Sequence, residues 1–77
     1  MKRLTDLPLH TLASVVSICG TDELSMRLLE MGLTPGIEVK IIGYAPLGDP
    51  LELELRGYRL SVRRVEAERV QVQLPPN

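Results

Sequence analysis

Two chain reversals in close succession, at Gly32 and at Pro35-Gly36, constrain the fold of this sequence more than any other feature. Gly32 stands where a preceding helix should end, at a position that requires a left-handed backbone. Pro35-Gly36 fits the centre of a type II turn, because proline fixes φ and glycine accepts a positive φ. The helix is predicted over residues 22–31 from apolar residues spaced at i, i+4 and i+7, which are Leu24, Leu28 and Met31.

Strands are predicted where apolar and polar residues alternate or where β-branched residues cluster. The strand after the turn covers Ile37–Ile42, with an inward-facing residue at every second position. The β-branched stretch Leu12–Ile18 predicts a first strand, and residues 70–74 predict a last one. From the first strand, the residues expected to reach the core are Ala13, Val16 and Ile18.

A hairpin is predicted in the second half of the chain. Leu51–Leu55 alternates leucine with glutamate, and the apolar residues after Arg56-Gly57 alternate with polar ones. A two-residue turn at Arg56-Gly57 keeps the apolar side chains of both strands on one face, whereas a three-residue loop would place leucines opposite arginines. A four-residue loop would preserve the faces as well. The two-residue turn predicts the pairs Leu53–Leu60, Leu51–Val62 and Glu54–Arg59.

Together these elements predict a mainly β fold, a small barrel of about five strands with one short α-helix inserted after the first strand. The chain of 77 residues is expected to form a single domain, 1–77, with a small aliphatic core. Short strands joined by tight turns favour a partly closed barrel, because closure removes exposed strand edges. Leu4–Leu9 is expected to be an extended lead-in, and Thr21 is expected to cap the helix.

Composition argues against several classes of function and location. The formal net charge of −1 argues against a general nucleic-acid-binding protein, which would carry a basic excess. Cys19 is the only cysteine and cannot form an internal disulfide, so a reducing compartment is expected. No run approaches the roughly 20 apolar residues of a membrane span. The basic start followed by an apolar run resembles a signal peptide only faintly, since charged residues and a proline interrupt it. A cytoplasmic location is expected.

Residues for covalent or metal chemistry are sparse. His10 is the only histidine, and nothing orients a third group beside it and Cys19 to form a catalytic set. We therefore expect no enzymatic activity and no catalytic residues. No metal-ligand spacing occurs within one chain, so no metal site and no resident cofactor are predicted. His10 or Cys19 could still contribute to a metal site shared between subunits.

Five arginines form a basic run in the second half of the chain. Charge balance favours cross-strand pairing with four glutamates, and the alternative is an acidic or phosphate-bearing partner. The shortage of aromatic residues counts against single-stranded nucleic acid as that partner. The arginines are Arg56, Arg59, Arg63, Arg64 and Arg69, and the glutamates are Glu52, Glu54, Glu66 and Glu68.

Apolar residues at turn or outward-facing positions suggest a surface that binds a partner. Leu33 follows the helix end and Leu47 lies in a proline-rich loop, with Ile42 as a further candidate. Prolines lower the entropy lost when such a loop takes one shape. A patch formed by the helix end and the loop would indicate a binding module. The predicted protein-binding residues are Met31, Leu33, Pro35, Gly36, Ala45, Pro46, Leu47, Gly48, Asp49 and Pro50.

Several motifs resemble the FeoA family, small proteins that accompany bacterial ferrous-iron uptake. These motifs are Arg27-Leu28, Met31-Gly32-Leu33, Pro35-Gly36, Ala45–Pro50, Gly57-Tyr58-Arg59-Leu60, Arg63 and Ala67. The resemblance covers nearly the whole chain, and the combined spacing of GLTPG and APLGDP is its specific part.

The resemblance implies an SH3-like barrel and a non-enzymatic, cytosolic accessory role. The implied partner is FeoB, a membrane ferrous-iron permease with a cytosolic GTPase domain, and no catalytic residues are implied. The surface formed by Met31–Gly36 and Ala45–Pro50 is then the expected docking site. Two alternatives remain. One is a metal-binding or metal-responsive barrel with a site shared between subunits, and the other is a nucleic-acid-binding barrel. No resident cofactor is expected, although transient contact with Fe(II) is compatible with the accessory role.

Overall fold

The fold is an antiparallel β-sheet with two short α-helices. The computed structural model describes residues 2–75, so the ends of the predicted domain, Met1, Pro76 and Asn77, lie outside the described residues. The strands are β1 (Lys2–Arg3), β2 (Ala13–Ile18), β3 (Glu38–Tyr44), β4 (Leu51–Leu55), β5 (Tyr58–Val62) and β6 (Val70–Gln73). The helices are α1 (Glu23–Glu30) and α2 (Arg64–Ala67), and a 3₁₀ turn covers Leu4–Asp6. No helix within residues 2–75 is long and apolar enough to cross a membrane.

The strands form one sheet in the order β1-β6-β2-β3-β4-β5. The prediction of a mainly β fold with a helix between the first two long strands is confirmed. The count is six strands instead of about five, because Lys2–Arg3 pairs with β6. One face of the sheet holds the core, which consists of Leu4, Leu7, Ala13, Val15, Leu28, Leu33, Ile37, Val39, Ile41, Leu51, Leu53, Leu55, Val62, Ala67, Val70 and Val72.

The predicted hairpin is confirmed residue by residue. Leu51 pairs with Val62, Leu53 with Leu60 and Glu54 with Arg59, in the register that a two-residue turn requires. Arg56 and Gly57 both have positive φ, 50° and 81°, as a type I′ turn demands. The alternation of leucine and glutamate in β4 therefore fixes both the face and the pairing of β5.

Both chain reversals after α1 are also confirmed. Gly32 has a φ of 109° and Gly36 a φ of 92°. The Ile37 amide donates to the Thr34 carbonyl at 3.1 Å, which closes the turn around Pro35-Gly36. The residue that caps α1 differs from the prediction. It is Asp22, whose carboxylate accepts a hydrogen bond from the Ser25 amide, and Thr21 precedes it.

Two predictions for the N-terminal third were wrong. The lead-in is not extended, because the Asp6 carboxylate accepts a hydrogen bond from the Arg3 amide and stabilises the 3₁₀ turn. In β2 the fully buried residues are Ala13 and Val15, whereas Val16 is half-buried. A register irregularity between Val15 and Ser17 interrupts the regular alternation along the strand.

Helix α2, which lies between β5 and β6, was not predicted. Its first turn is stabilised by the Glu66 carboxylate, which accepts a hydrogen bond from the Arg63 amide at 2.8 Å. Helix α1 is tied to the same region. Arg27 forms an ion pair with Glu66, Asp22 with Arg69, and the Tyr58 hydroxyl donates to the Met31 carbonyl. The two helices and the β5–β6 connection are therefore held together by polar contacts.

Candidate docking surface

The loop Ala45–Pro50, here called the proline loop, is held in one shape by its own backbone. The Ala45 amide donates to the Pro50 carbonyl at 3.0 Å, so the two ends of the loop are joined. The Gly48 amide donates to the Ala45 carbonyl at 2.7 Å, which makes a tight turn inside the loop. Gly48 has a φ of 83°, a conformation that glycine adopts without strain.

Arg64, at the start of α2, fixes the proline loop from outside. Its amide donates to Asp49 Oδ1 at 3.0 Å, and its Nη2 donates to the Gly48 carbonyl at 2.9 Å. The guanidinium carbon lies 5.7 Å from the centre of the Tyr44 ring, within the range of a cation–π contact. Arg64 therefore joins α2 to two adjacent residues in the second half of the loop, Gly48 and Asp49. Sequence reasoning missed this role, because no spacing rule links an arginine to a loop fifteen positions upstream.

The tip of the proline loop is apolar and faces solvent. Leu47 is 97% exposed, as predicted for a residue at this position. Two further exposed side chains belong to residues next to Arg64. Tyr44, whose ring contacts the Arg64 guanidinium, is 42% exposed, and Val65, which follows Arg64 in the chain, is 62% exposed. Ile42, the third candidate from the sequence, is half-buried. A rigid loop that displays a large aliphatic side chain to water has the character of an interaction surface.

The prediction that Leu33 is exposed was wrong. Its relative exposure is 0%, and its amide donates to the Leu28 carbonyl at 3.1 Å. The left-handed backbone at Gly32 turns the chain inward, so that Leu33 enters the core beside the helix end. Of the predicted segment Met31–Gly36, only residues 34–36 are exposed, and Met31 packs partly against the core.

The two predicted halves of the docking site lie at opposite ends of β4. The proline loop leads into Leu51, while Met31 receives a hydrogen bond from Tyr58, which pairs with Leu55. Four residue steps separate these ends, about 13 Å in an extended strand. The proline loop is thus joined to α2 and lies apart from Met31–Gly36.

The predicted pairing of the basic run with glutamates was wrong, because none of its five arginines forms an ion pair with those four glutamates in residues 2–75. Arg69 pairs with Asp22, and Glu66 pairs with Arg27, which lies outside the run. Glu54 is opposite Arg59 in register, yet its carboxylate pairs with Lys40 at 3.4 Å. Within residues 2–75, the arginines of the run that form no ion pair are Arg56, Arg59, Arg63 and Arg64.

The pKa of one carboxyl group is lowered at a position away from the proline loop, at the start of α1. A hydrogen bond from the Arg69 guanidinium, and then one from the Ser25 hydroxyl, lower the pKa of the Asp22 carboxyl below its ordinary value of 3.8. The Ser25 hydroxyl oxygen also lies 2.8 Å from the Cys19 carbonyl oxygen, which is an alternative acceptor for its single proton. This network fastens the helix start to the residue that precedes β6, which is a structural role.

The lowered pKa predicts a pH-dependent contribution to stability. Because the folded pKa is below the unfolded one, the ionised Asp22 carboxyl stabilises the fold at neutral pH, and this stabilisation is lost as pH falls through the folded pKa. We expect Asp22→Asn, which retains a capping side chain, to lower the thermal midpoint at pH 7. The difference from the unmodified protein should shrink between pH 4 and pH 2, about the range below the ordinary pKa. A difference that is constant over this pH range would contradict the assignment.

His10 and Cys19 do not come together with other ligands in one chain. Cys19 is a free, exposed thiol, and the His10 amide donates to the Ile41 carbonyl at 2.7 Å. Residues 2–75 contain no group of three or more His, Cys, Asp or Glu side chains that could hold a metal ion. A site shared between subunits stays a prediction.

Two comparisons of the sequence identify relatives. A family model described as the FeoA domain matches residues 2–74. The Fe(2+) transport protein A/Fe(2+) transporter FeoB fusion protein of Porphyromonas gingivalis is 33% identical over 72 residues, which are 94% of this chain. The aligned part is 8% of the fusion protein, so this chain spans a small fraction of that relative.

Solved structures share both the fold and a substantial part of the sequence. The FeoA protein of Chlorobium tepidum matches with a TM-score of 0.85 and 36% identity, over 95% of this chain and 70% of that one. The FeoA protein of Stenotrophomonas maltophilia, crystallised with zinc, matches with a TM-score of 0.81 and 36% identity, over 95% and 91% of the two chains. That protein is described as a prokaryotic SH3 domain protein, which agrees with the barrel predicted from the sequence.

Proposed function

Because the chain belongs to the FeoA family, whose members are linked to ferrous iron transport, we propose that it is a non-enzymatic cytosolic accessory protein that docks on a FeoB-type permease and modulates it. The observation that carries the proposal is the Porphyromonas gingivalis relative, in which a homologous domain and FeoB are one polypeptide. Fusion keeps two partners at a high effective concentration, which is useful when their function requires contact.

The proline loop is the proposed contact point. A docking residue must reach the partner, and Leu47 is 97% exposed on a loop whose shape is fixed by Arg64 and by internal hydrogen bonds. A preorganised loop loses little conformational entropy on binding, so more of the contact energy appears as affinity. Pro35 and Gly36 are exposed as well, but they lie at the other end of β4 and are not required by this proposal.

The proposal is tested by binding of the purified chain to the soluble cytosolic domain of the cognate permease. The measurement is made by titration calorimetry, with and without GTP and ferrous ion. Saturable binding supports docking, and a dependence on nucleotide or metal identifies which state of the permease is recognised. No binding under any of these conditions would contradict docking on the cytosolic domain.

We expect Leu47→Glu to weaken this binding at least tenfold and to leave the fold intact. The side chain contributes almost no buried area to the fold, whereas burial of a leucine in an interface is worth about 1.5–3 kcal/mol. Met26→Glu is the matched control, because Met26 is 55% exposed on α1 and glutamate is a good helix former. Equal affinities for the unmodified protein, Leu47→Glu and Met26→Glu would contradict the role of Leu47.

A metal-dependent function is a second candidate, supported by the zinc complex of the Stenotrophomonas maltophilia relative. In this chain it requires a site completed by another subunit, since residues 2–75 form no three-residue ligand group. Stoichiometric Fe(II) binding that disappears in Cys19→Ser or His10→Ala would favour this candidate. Fe(II) binding that is absent, or that both variants retain, would argue against it.

A further inference from the structure

We infer that the permease segment received by this surface is acidic and carries an apolar side chain, with Arg63 as the cation that selects it. This inference rests on the proposed docking function and adds the chemistry of the partner. It also extends the surface beyond the proline loop to the first turn of α2. The combined surface, here called the loop–α2 face, consists of Leu47, Asp49, Pro50, Arg63 and Arg64.

The loop–α2 face is continuous. Arg64 hydrogen-bonds to Gly48 and Asp49, so its neighbour Arg63 is held beside the proline loop. Arg63 also lines an open cleft of about 390 Å³ together with Asp49 and Pro50. The cleft and the exposed Leu47 side chain offer a partner a depression and an apolar projection in one region.

The charges of this face are unbalanced in favour of cations. Arg63 is exposed, and it forms no ion pair with any residue in the range 2–75. The Arg64 guanidinium contacts the Gly48 carbonyl and the Tyr44 ring, and because both are uncharged, neither neutralises its positive charge. Asp49 supplies one carboxylate beside these two cations, and the Glu66 carboxylate, which accepts a hydrogen bond from the Arg63 amide, is buried and pairs with Arg27. Since the whole chain has a formal net charge of −1, the positive character is local to this face.

These features favour an acidic protein segment over other occupants. An exposed arginine pairs well with carboxylates, and its guanidinium can engage both oxygens. The exposed Leu47 side chain needs an apolar side chain opposite it, which distinguishes a peptide from a phosphate backbone. A second copy of this chain is disfavoured, because a two-fold interface over this face would bring the Arg63 and Arg64 charges of both copies together.

The test compares two charge reversals in the permease-binding titration. We expect Arg63→Glu to weaken binding at least tenfold, and Arg63→Gln to weaken it by a smaller factor. Arg59→Glu is the matched control. It makes the same charge change on exposed β5, about 13 Å along the extended chain from Arg63, and it should stay within twofold of the unmodified protein. Raising the salt from 50 to 300 mM should weaken binding of the unmodified protein more than that of Arg63→Gln.

Each outcome separates the inference from the function on which it rests. If the unmodified protein binds but Arg63→Glu, Arg63→Gln and Arg59→Glu all bind equally well, docking stands and the acidic partner segment is overturned. The acidic segment is overturned as well if Arg59→Glu and Arg63→Glu lose affinity equally, because the effect would then be one of net charge. If the unmodified protein does not bind, both proposals fail. Far-UV circular dichroism and thermal unfolding confirm that each variant is folded, and Arg63→Gln provides the reading should Arg63→Glu not fold.

Discussion

Leu33→Glu is expected to unfold the protein. The Leu33 side chain has no exposure to solvent, so the substitution places a carboxylate among core leucines with no cation to pair with it. Burial of an unpaired charge costs at least several kcal/mol, and a small domain has a total stability of only about 5–15 kcal/mol. Circular dichroism in urea should show a midpoint shifted to low urea or no cooperative transition.

Leu47→Glu is the control for this prediction, because both substitutions turn a leucine beside a tight turn into glutamate. Leu47 is 97% exposed, and its replacement should leave the urea midpoint within error of the unmodified protein. Should Leu33→Glu also retain the unmodified midpoint, Leu33 would have to be exposed, as the sequence suggested. Loss of permease binding in Leu33→Glu alone would reflect unfolding and would say nothing about the docking surface.

Gly32→Ala is expected to destabilise the fold by about 3 kcal/mol, for two separate reasons. The φ of 109° lies outside the conformations that alanine adopts readily, which costs about 1–2 kcal/mol. A Cβ at this position would also overlap the Tyr58 hydroxyl, which must then move and lose its hydrogen bond to the Met31 carbonyl. The free energy of unfolding is measured by urea denaturation.

Gly36→Ala separates these two causes. Gly36 has a similar φ of 92°, but a Cβ built there meets no atom within 4 Å. Its substitution should therefore show the conformational cost alone, about 1–2 kcal/mol. Equal destabilisation by Gly32→Ala and Gly36→Ala would mean that Tyr58 adjusts without loss, and the proposed steric role of Gly32 would be wrong.

The features predicted correctly from the sequence are those set by local rules. The alternation in β4, together with Arg56-Gly57, determined the hairpin register down to single pairs, because a shift of one residue would bury charges. Gly32 and Gly36 were placed correctly, since few residues other than glycine tolerate their positive φ values. These signals depend only on neighbouring positions, and tertiary contacts do not override them.

The features predicted wrongly depend on contacts between distant parts of the chain. Leu33 lies in a turn and therefore looks exposed, but the chain direction after Gly32 carries it into the core. The short strand β1 exists only because β6 is available to pair with it. Helix α2 has four residues, too few for a periodic pattern, and its stabilising contacts include Glu66 with Arg27 of another helix. No local pattern could reveal these partners.

In the candidate site, too, the features set by local sequence were predicted correctly and those set by tertiary contacts were not. Exposure of Leu47 followed from its place in a loop rich in proline and glycine, and it was predicted correctly. The role of Arg64 arises from the hydrogen bonds between α2 and the loop, and the arginines were expected to pair with glutamates instead. The sequence could not show that Met31–Gly36 lies far from the proline loop, because this depends on where both segments lie along β4.

The hydrogen bonds of Arg64 to Gly48 and Asp49 tie the shape of one segment to the identity of a residue in another. A loop of this kind cannot evolve alone. Among related sequences, changes at positions 44 and 64 should occur in concert, because the Arg64 guanidinium contacts the Tyr44 ring, whereas its bond at position 48 reaches a backbone carbonyl that any residue provides. Position 47 extends into solvent and is free of that constraint. The tip can thus diversify with the partner while its support is inherited as a unit.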